Sequence, residues 1–267
     1  MYESRIQKYK NHDEVTDAKG YDLCQPKYDG CWSRIVIARG EAAIYSRTNK
    51  PVATMPAPAG LDATLVGECL LGTTRAAASS EHGTVRVFDC LATAGEVIAE
   101  AEGYTERLAA AGRVIAAGLP WASLAETFPA ADAAGLWASR VEPGDAEGLV
   151  FRRSGDTYTA ATIGRVKRQM THDYVVVGVE PGKGKLAGKA GAVILGLYGR
   201  MGVAEEVCRC GGGFSDAERA AMLASPKDYI GRVAEVRGYD LFASGAMRHP
   251  TFSRWRSDKA ARECVMA

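Results

Sequence analysis

The sequence predicts an α+β protein of two domains: a first of antiparallel sheets with helices, then a small β-barrel. Three observations carry this. Several short runs before residue 153 are strand-like, with one clear helical period among them. After about residue 170 the pattern changes to short strands separated by glycine-rich turns, with a single helix. The charge changes with it. From Arg165 onward 17 lysines and arginines stand against 11 acidic residues, a net of +6, whereas the first 164 residues carry −5 and the whole chain +1. The expected domains are 1–170 and 171–267, with a hinge at 168–172 (RQMTH).

In the first domain, 31–39 and 42–47 flank Arg39-Gly40-Glu41 and read as a hairpin. Residues 64–71 and 84–91 are further Val- and Leu-rich strands. Residues 105–117 read as a helix, with Leu108, Ala111, Val114 and Ile115 at helical spacing and Gly118 as a stop. The alanine-rich stretch 122–139 fits a helix or a loose connector, and 148–152 returns to strand. In the second domain, 174–180, 192–198, 203–208 and 232–237 read as strands. Ser215 and Glu218 have the spacing of a capping box, opening a helix that stops before Pro226.

Composition bounds the function. Hydrophobic residues make up 47% of the 267 and charged ones 24%, enough for two cores and too few charges for a disordered chain. No apolar run has the length of a membrane span. The polar start MYESRIQKYKNHDE has no apolar stretch for a secretory signal, and seven cysteines have no framework spacing. Reduced thiols in a cytoplasm are expected, either cellular or that of a host serving a virus. The basic second half points to a polyanionic partner. Gly182-Lys183-Gly184-Lys185 continues to Gly188-Lys189 but lacks the full phosphate-loop pattern, so a P-loop is excluded.

An ordered series of short motifs carries the chemistry. Gln25-Pro26-Lys27-Tyr28-Asp29-Gly30 comes first, then Ser46-Arg47-Thr48, Val66-Gly67-Glu68 and Val87-Phe88-Asp89. Glu147-Gly148-Leu149-Val150 and Arg165-Val166-Lys167 follow, and Arg248-His249-Pro250 precedes Arg254-Trp255-Arg256-Ser257-Asp258-Lys259. Glu68 and Glu147 each stand in an otherwise apolar strand, where a carboxylate needs a partner. A nucleophilic lysine must be neutral although its free amine titrates near 10.4, and cations beside it would lower that value.

From Gln25 to Lys259 this series resembles the ATP-dependent DNA ligases in their small form, a nucleotidyltransferase domain followed by an OB-fold domain. The resemblance implies that Lys27 attacks the α-phosphate of ATP, with Arg165 and Lys167 neutralising phosphate charge. Glu147 would serve a catalytic Mg²⁺, for which Mn²⁺ could substitute, and Asp29 would contribute from the outer sphere. Gln25 would read the adenine amine, Phe88 would stack on the base, and Glu68 would bond the ribose hydroxyls. Tyr28 and Gly30 complete the nucleotide site. Arg256, Asp258 and Lys259 would orient the β- and γ-phosphates, and Arg47 would hold the 5′-phosphate of a nick. Lys183, Lys185 and Lys189 would meet DNA phosphates. The implied partner is nicked duplex DNA, bound by a monomer, in replication, repair or recombination.

One departure is visible. The ligase pattern Lys-x-Asp-Gly-x-Arg would place arginine at 32, where this chain has Trp32. Arg34 lies on the same strand face, about 6.5–7 Å away, and is expected to reach back to the ribose. The rival readings are an RNA ligase or a capping-type nucleotidyltransferase, and a non-catalytic OB-type DNA-binding module.

Overall fold

The computed structural model describes residues 7–70 and 85–266. The expected strand ends at Leu71 and Thr84, and the polar start 1–6, lie outside them. The chain divides into two compact units after Arg168.

The first unit holds β1 (Lys8–His12), β2 (Leu23–Lys27), β3 (Cys31–Ala38), β4 (Glu41–Ser46), β5 (Pro51–Pro56), β6 (Ala63–Cys69), β7 (Val85–Thr93) and β8 (Glu96–Val97). Then come α1 (Tyr104–Ala116), β9 (Ala122–Leu124), β10 (Phe128–Pro129), α2 (Ala133–Leu136), β11 (Gly148–Arg152) and β12 (Thr162–Lys167). They form two sheets. One has the order β1-β12-β11-β2-β10, the other β5-β4-β3-β6-β7-β8 with β9 beside β7. Pairing is antiparallel, as expected, except for the two parallel edge pairs β1–β12 and β7–β9.

The expected hairpin is present with a two-residue loop. Ala38 pairs with Glu41, and Arg39 and Gly40 both have positive φ (55° and 83°), the conformation a twisted two-residue turn demands. Helix α1 lays Ala110, Ala111 and Val114 against Ile35, Ile37, Leu65 and Val87 of the larger sheet. Each fully buried aliphatic side chain there is worth about 1.5–3 kcal/mol. The alanine-rich stretch is not one helix. It holds the short strand β9 beside β7 of the larger sheet, then β10, a four-residue α2 and a π-helical turn over Trp137–Val141, and these last three pack on Cys24, Leu149, Phe151 and Val166 of the smaller sheet.

The second unit holds β13 (Met170–Pro181), β14 (Ala190–Tyr198), β15 (Ala204–Cys210), α3 (Asp216–Ala224), β16 (Val233–Gly238), β17 (Asp240–Leu241), β18 (Met247–Arg248) and β19 (Thr251–Trp255). Five strands make an antiparallel sheet in the order β15-β14-β13-β16-β19. A single bridge from Gly212 to Thr251 ties the segment leaving β15 to β19, so the two edges approach at one point. The capping box forms as expected: Ser215 Oγ accepts from the Glu218 amide at 3.2 Å, and Glu218 accepts from the Ser215 amide at 2.9 Å. Arg219 of α3 is buried and donates to the carbonyls of Ala190, Gly191 and Gly211, locking the helix to the sheet. Among the described residues no helix is long and apolar enough to cross a membrane.

Candidate active site

The smaller sheet of the first unit sets out its charges by strand register. Gly148 of β11 pairs with Lys27 of β2 on one side and Lys167 of β12 on the other. Two residues along, Val150 pairs with Gln25 and Arg165. Alternation puts Lys27 and Lys167 on one face, flanking a residue with no side chain. Nothing larger than glycine fits there, since a Cβ on Gly148 would lie 2.0 Å from the Val166 carbonyl.

Glu147, just before β11, fills the gap between the two ammonium groups. Its Oε2 accepts a short hydrogen bond from Lys27 Nζ and lies 3.7 Å from Lys167 Nζ. Burial works against its charge, but Lys27 and Lys167 hold the carboxyl below its ordinary range. The nearest charged neighbour of Lys27 is therefore an anion, where the sequence reading expects cations. Asp29 is hydrogen-bonded with Glu147 and its charge acts on Glu68, but among the described residues no three such side chains gather closely enough to hold a metal by themselves.

The larger sheet supplies the opposite wall. Glu68 of β6 pairs with Trp32 on β3 and Arg86 on β7. Burial lifts the Glu68 carboxyl to about 7 and Glu147 adds to the rise, against the pull of Lys27. Gly30 packs so closely that a Cβ would meet the Cys69 carbonyl at 2.6 Å and Glu68 Cγ at 2.9 Å, which explains glycine after Asp29. Phe88 stands at a β-bulge. Val66 pairs with Asp89 and Gly67 with Val87, leaving Phe88 without a partner on β6; it points opposite to Val87 and packs, half-buried, beside Val66, Leu91, Ala99 and Tyr158. Behind it Asp89 is fully buried against Arg107, with Nε to Oδ1 at 2.7 Å and Nη2 to Oδ2 at 3.1 Å.

These walls enclose a cavity of about 390 Å³. Lys27, Glu68, Phe88, Arg47 and Arg165 line it, as do Gln25, Tyr28 and Gly30. Tyr28 is held by the Glu126 amide, which donates to its hydroxyl at 3.3 Å, and by the Arg86 guanidinium over its ring. The Gln25 amide is heavily engaged. It donates to Tyr104 and Thr127, each at 2.8 Å, and accepts from Arg152 Nε at 3.0 Å.

Arg152 is absent from the sequence reading. It is 5% exposed, lines the cavity, and lies over the rings of Tyr104 (4.5 Å) and Phe88 (5.2 Å). A signal existed: Gly148, Val150 and Arg152 fall on one face of β11, the face of Lys27. Tyr9 of β1 also lines the cavity and was equally unread.

Comparison with known proteins accords with this geometry. Residues 181–256 match the model of the DNA ligase OB-like domain. The chain is 30% identical over 165 residues to DNA ligase 2 of Korarchaeum cryptofilum, covering 45% of this chain and 28% of that one. It is 31% identical over 131 residues to a DNA ligase of Sulfophobococcus zilligii, covering 36% and 22%. The chain thus spans about a quarter of the length of these curated relatives. A solved structure described as belonging to the Lig E DNA ligases superposes with a TM-score of 0.69 at 20% identity, covering 94% of this chain and all of that one (100%). Another, Pmar-Lig_PreS3, gives 0.72 at 20% identity over 93% of this chain and 67% of that one. This chain has the DNA ligase fold.

Within that ligase fold, one expected contact is not made. Arg34 is not among the residues lining the cavity. It is buried, its guanidinium lies 5.3 Å from the Tyr45 ring, and it donates to Asn49 Oδ1. Cross-strand neighbours hold it, so it does not reach back past Trp32. Trp32 itself lines the cavity and packs with Phe88 on Val66, Leu91, Ala99 and Tyr158.

The ligase-like residues of the second unit form a separate charged cluster. Arg256 binds Asp258 through Nε (2.9 Å) and Nη2 (2.8 Å), and its Nη1 reaches Asp173 at 3.0 Å and Glu235 at 3.4 Å. Lys259 Nζ also binds Asp173, at 2.9 Å. Hydrogen bonds from Arg256 bring the Asp258 carboxyl down to about 2. Lys183 and Lys185 are exposed in the β13–β14 connection, whereas Lys189 is paired with Asp216 at 2.8 Å.

Proposed function

We propose that this chain is an ATP-dependent DNA ligase that seals 5′-phosphate/3′-hydroxyl nicks in duplex DNA. One observation carries the reading: Lys27 stands at the wall of a nucleotide-sized cavity, hydrogen-bonded to Glu147, with Lys167 sharing that carboxylate and Phe88 aimed inward. Residues 1–170 are the adenylyltransferase domain and 171–267 the OB-fold domain.

In the first step the Lys27 amine, having lost its proton, attacks the α-phosphate of ATP. An N–P bond forms as the bond to pyrophosphate breaks. Arg165 and Lys167 offset charge on the phosphate, Phe88 stacks on adenine, and Glu68 accepts from the ribose hydroxyls. With Gln25 already engaged, the base meets an amide whose oxygen retains one acceptor lone pair. The AMP then passes to the 5′-phosphate of a nick, which Arg47 holds. Attack by the 3′-hydroxyl joins the strands and releases AMP. In the second domain Arg256, Asp258 and Lys259 serve the β- and γ-phosphates, and Lys183, Lys185 and Lys189 meet the DNA backbone, in a salt-sensitive and sequence-independent manner.

The carboxylates around Lys27 fit a magnesium ion, which takes oxygen ligands and keeps several waters. Glu147 would hold it, with Asp29 in the outer sphere. When bound, it would neutralise phosphate charge and compete with Lys27 for the Glu147 carboxylate.

The test is incubation with α-labelled ATP and Mg²⁺, followed by a 5′-phosphorylated nicked duplex. The wild type should take up covalent label and seal the nick, and Lys27→Ala should do neither. Labelling of Lys27→Ala at wild-type level would sink the assignment. GTP in place of ATP, and nicked RNA in place of DNA, separate the capping and RNA-ligase rivals.

A further inference from the structure

Arg165 and Lys167 lie two residues apart on one face of β12, yet their surroundings differ. Lys167 shares the Glu147 carboxylate. Arg165 has no carboxylate within ion-pairing distance among the described residues. Its guanidinium is held by the N-terminal strand instead. The Tyr9 ring lies 5.0 Å from it, and Nε donates to the side-chain carbonyl of Asn11. Strand β1 reaches this place by parallel pairing with β12, with Asn11 opposite Arg165 and Tyr9 opposite Ile163. Tyr9 and Arg165 both line the cavity.

A guanidinium whose Nε is engaged and whose carbon lies over an aromatic ring keeps its terminal Nη donors for a ligand. Those donors form a fork that suits two oxygens of a phosphate, and no counter-anion has to be displaced first. We infer that Tyr9 and Asn11 are positioning residues that hold Arg165 as a preformed clamp for a nucleotide phosphate. The inference rests on the nucleotidyl-transfer reading for the identity of the ligand. It divides the labour within the pair: Lys167 balances Glu147, and Arg165 is the cation available to substrate. A strand serving only to finish a sheet edge would need neither a ring face nor an amide at these two positions.

The experiment is a double-mutant cycle on the full chain, read by the rate and ATP dependence of covalent labelling. Wild type comes first, and failure of wild type to label refutes the nucleotidyl-transfer reading whatever Tyr9 does. Given labelling, Tyr9→Leu and Asn11→Ala should each raise the KM for ATP about fivefold, the size of one lost cation–π contact or one ordinary hydrogen bond. Tyr9→Phe should match wild type. In an Arg165→Ala background neither change should have further effect, because the group they orient is gone. Equal losses in both backgrounds, or no loss in either, would overturn the inference. Asn11 is exposed, so its variant keeps the test decisive if Tyr9→Leu does not fold.

Discussion

Two charged clusters in this chain are assigned to nucleotide phosphates, and they are built in opposite ways. Around Lys27 the charges are enclosed, and their positions follow from strand register. Lys27 and Lys167 flank Gly148, burial lifts the Glu68 carboxyl, and the two lysines hold the Glu147 carboxyl down against its own burial. Around Arg256 the charges largely neutralise one another: Asp173 and Glu235, on neighbouring strands β13 and β16, are about as covered as Glu147, whereas the Asp258 side chain is 63% exposed. Enclosed charges cannot exchange partners cheaply, because each is dear to leave alone in a low dielectric. Charges at the surface exchange partners readily, because water and salt stand in for whatever is lost. The first arrangement suits a fixed reaction centre, and the second suits a contact made and released within one cycle.

The sharpest way to break this contrast is to neutralise one acid in each cluster. Glu147→Gln should lower the rate of covalent labelling by about 10²–10³-fold, the usual loss on removing a preorganised charge at a reaction centre. Asp258→Asn should cost less than that. A larger loss at 258 than at 147, measured by the same labelling assay, would reverse the comparison.

A second effect follows from Glu68, whose folded-state carboxyl titrates near 7 because of burial, above its ordinary 4.5. Between those values the folded protein binds more protons than the unfolded chain, so this group erodes stability as pH rises. The melting temperature of Glu68→Gln should therefore exceed that of wild type by a margin that is small at pH 4.5, widens to pH 7 and then levels off. A margin that narrows with pH would show that Glu68 ionises easily in its pocket. In wild type, ATP affinity should fall below pH 7 as the carboxylate that accepts from the ribose is lost.

The smallest effect belongs to the Arg256 cluster. Asp258→Asn removes the exposed partner of Arg256 and should lower the melting temperature by no more than about 2–4 °C, as expected for the loss of a surface pair. In 0.5 M salt, an ionic strength on the order of that which screens exposed pairs, the difference should shrink. A large, salt-independent fall would place this cluster with the enclosed one.

Most of the site was legible because period-two alternation carries side chains to one face without further information. Lys27, Glu68, Phe88, Arg47, Arg165 and Lys167 line or edge one cavity region as their motifs suggest, although the bulge at Phe88 could not be read from Val-Phe-Asp alone. Arg34 was misread because strand geometry gives a side chain's face and not its partner. Tyr45 and Asn49, the latter in the loop after β4, capture it. The unread strands are mostly at sheet edges: β1, β5 and β10 each pair on one side only. Such strands need no full alternation and tolerate proline, as Pro51 and Pro56 at the ends of β5 illustrate. In the alanine-rich stretch, segments of two or three residues are strands only because a neighbour offers its backbone.

The register of β12 against β11 also limits how the length of this chain can drift. The nine residues from Arg153 to Ala161 join the two strands. An inserted residue absorbed in that connection leaves every pairing as it was. The same insertion taken up as a one-residue slip of β12 would turn Arg165 and Lys167 away and present Val166 in their place. Two cations would be lost together without a single substitution. Tolerance of insertions here is thus decided by where the extra residue comes to rest, and far less by which residue it is.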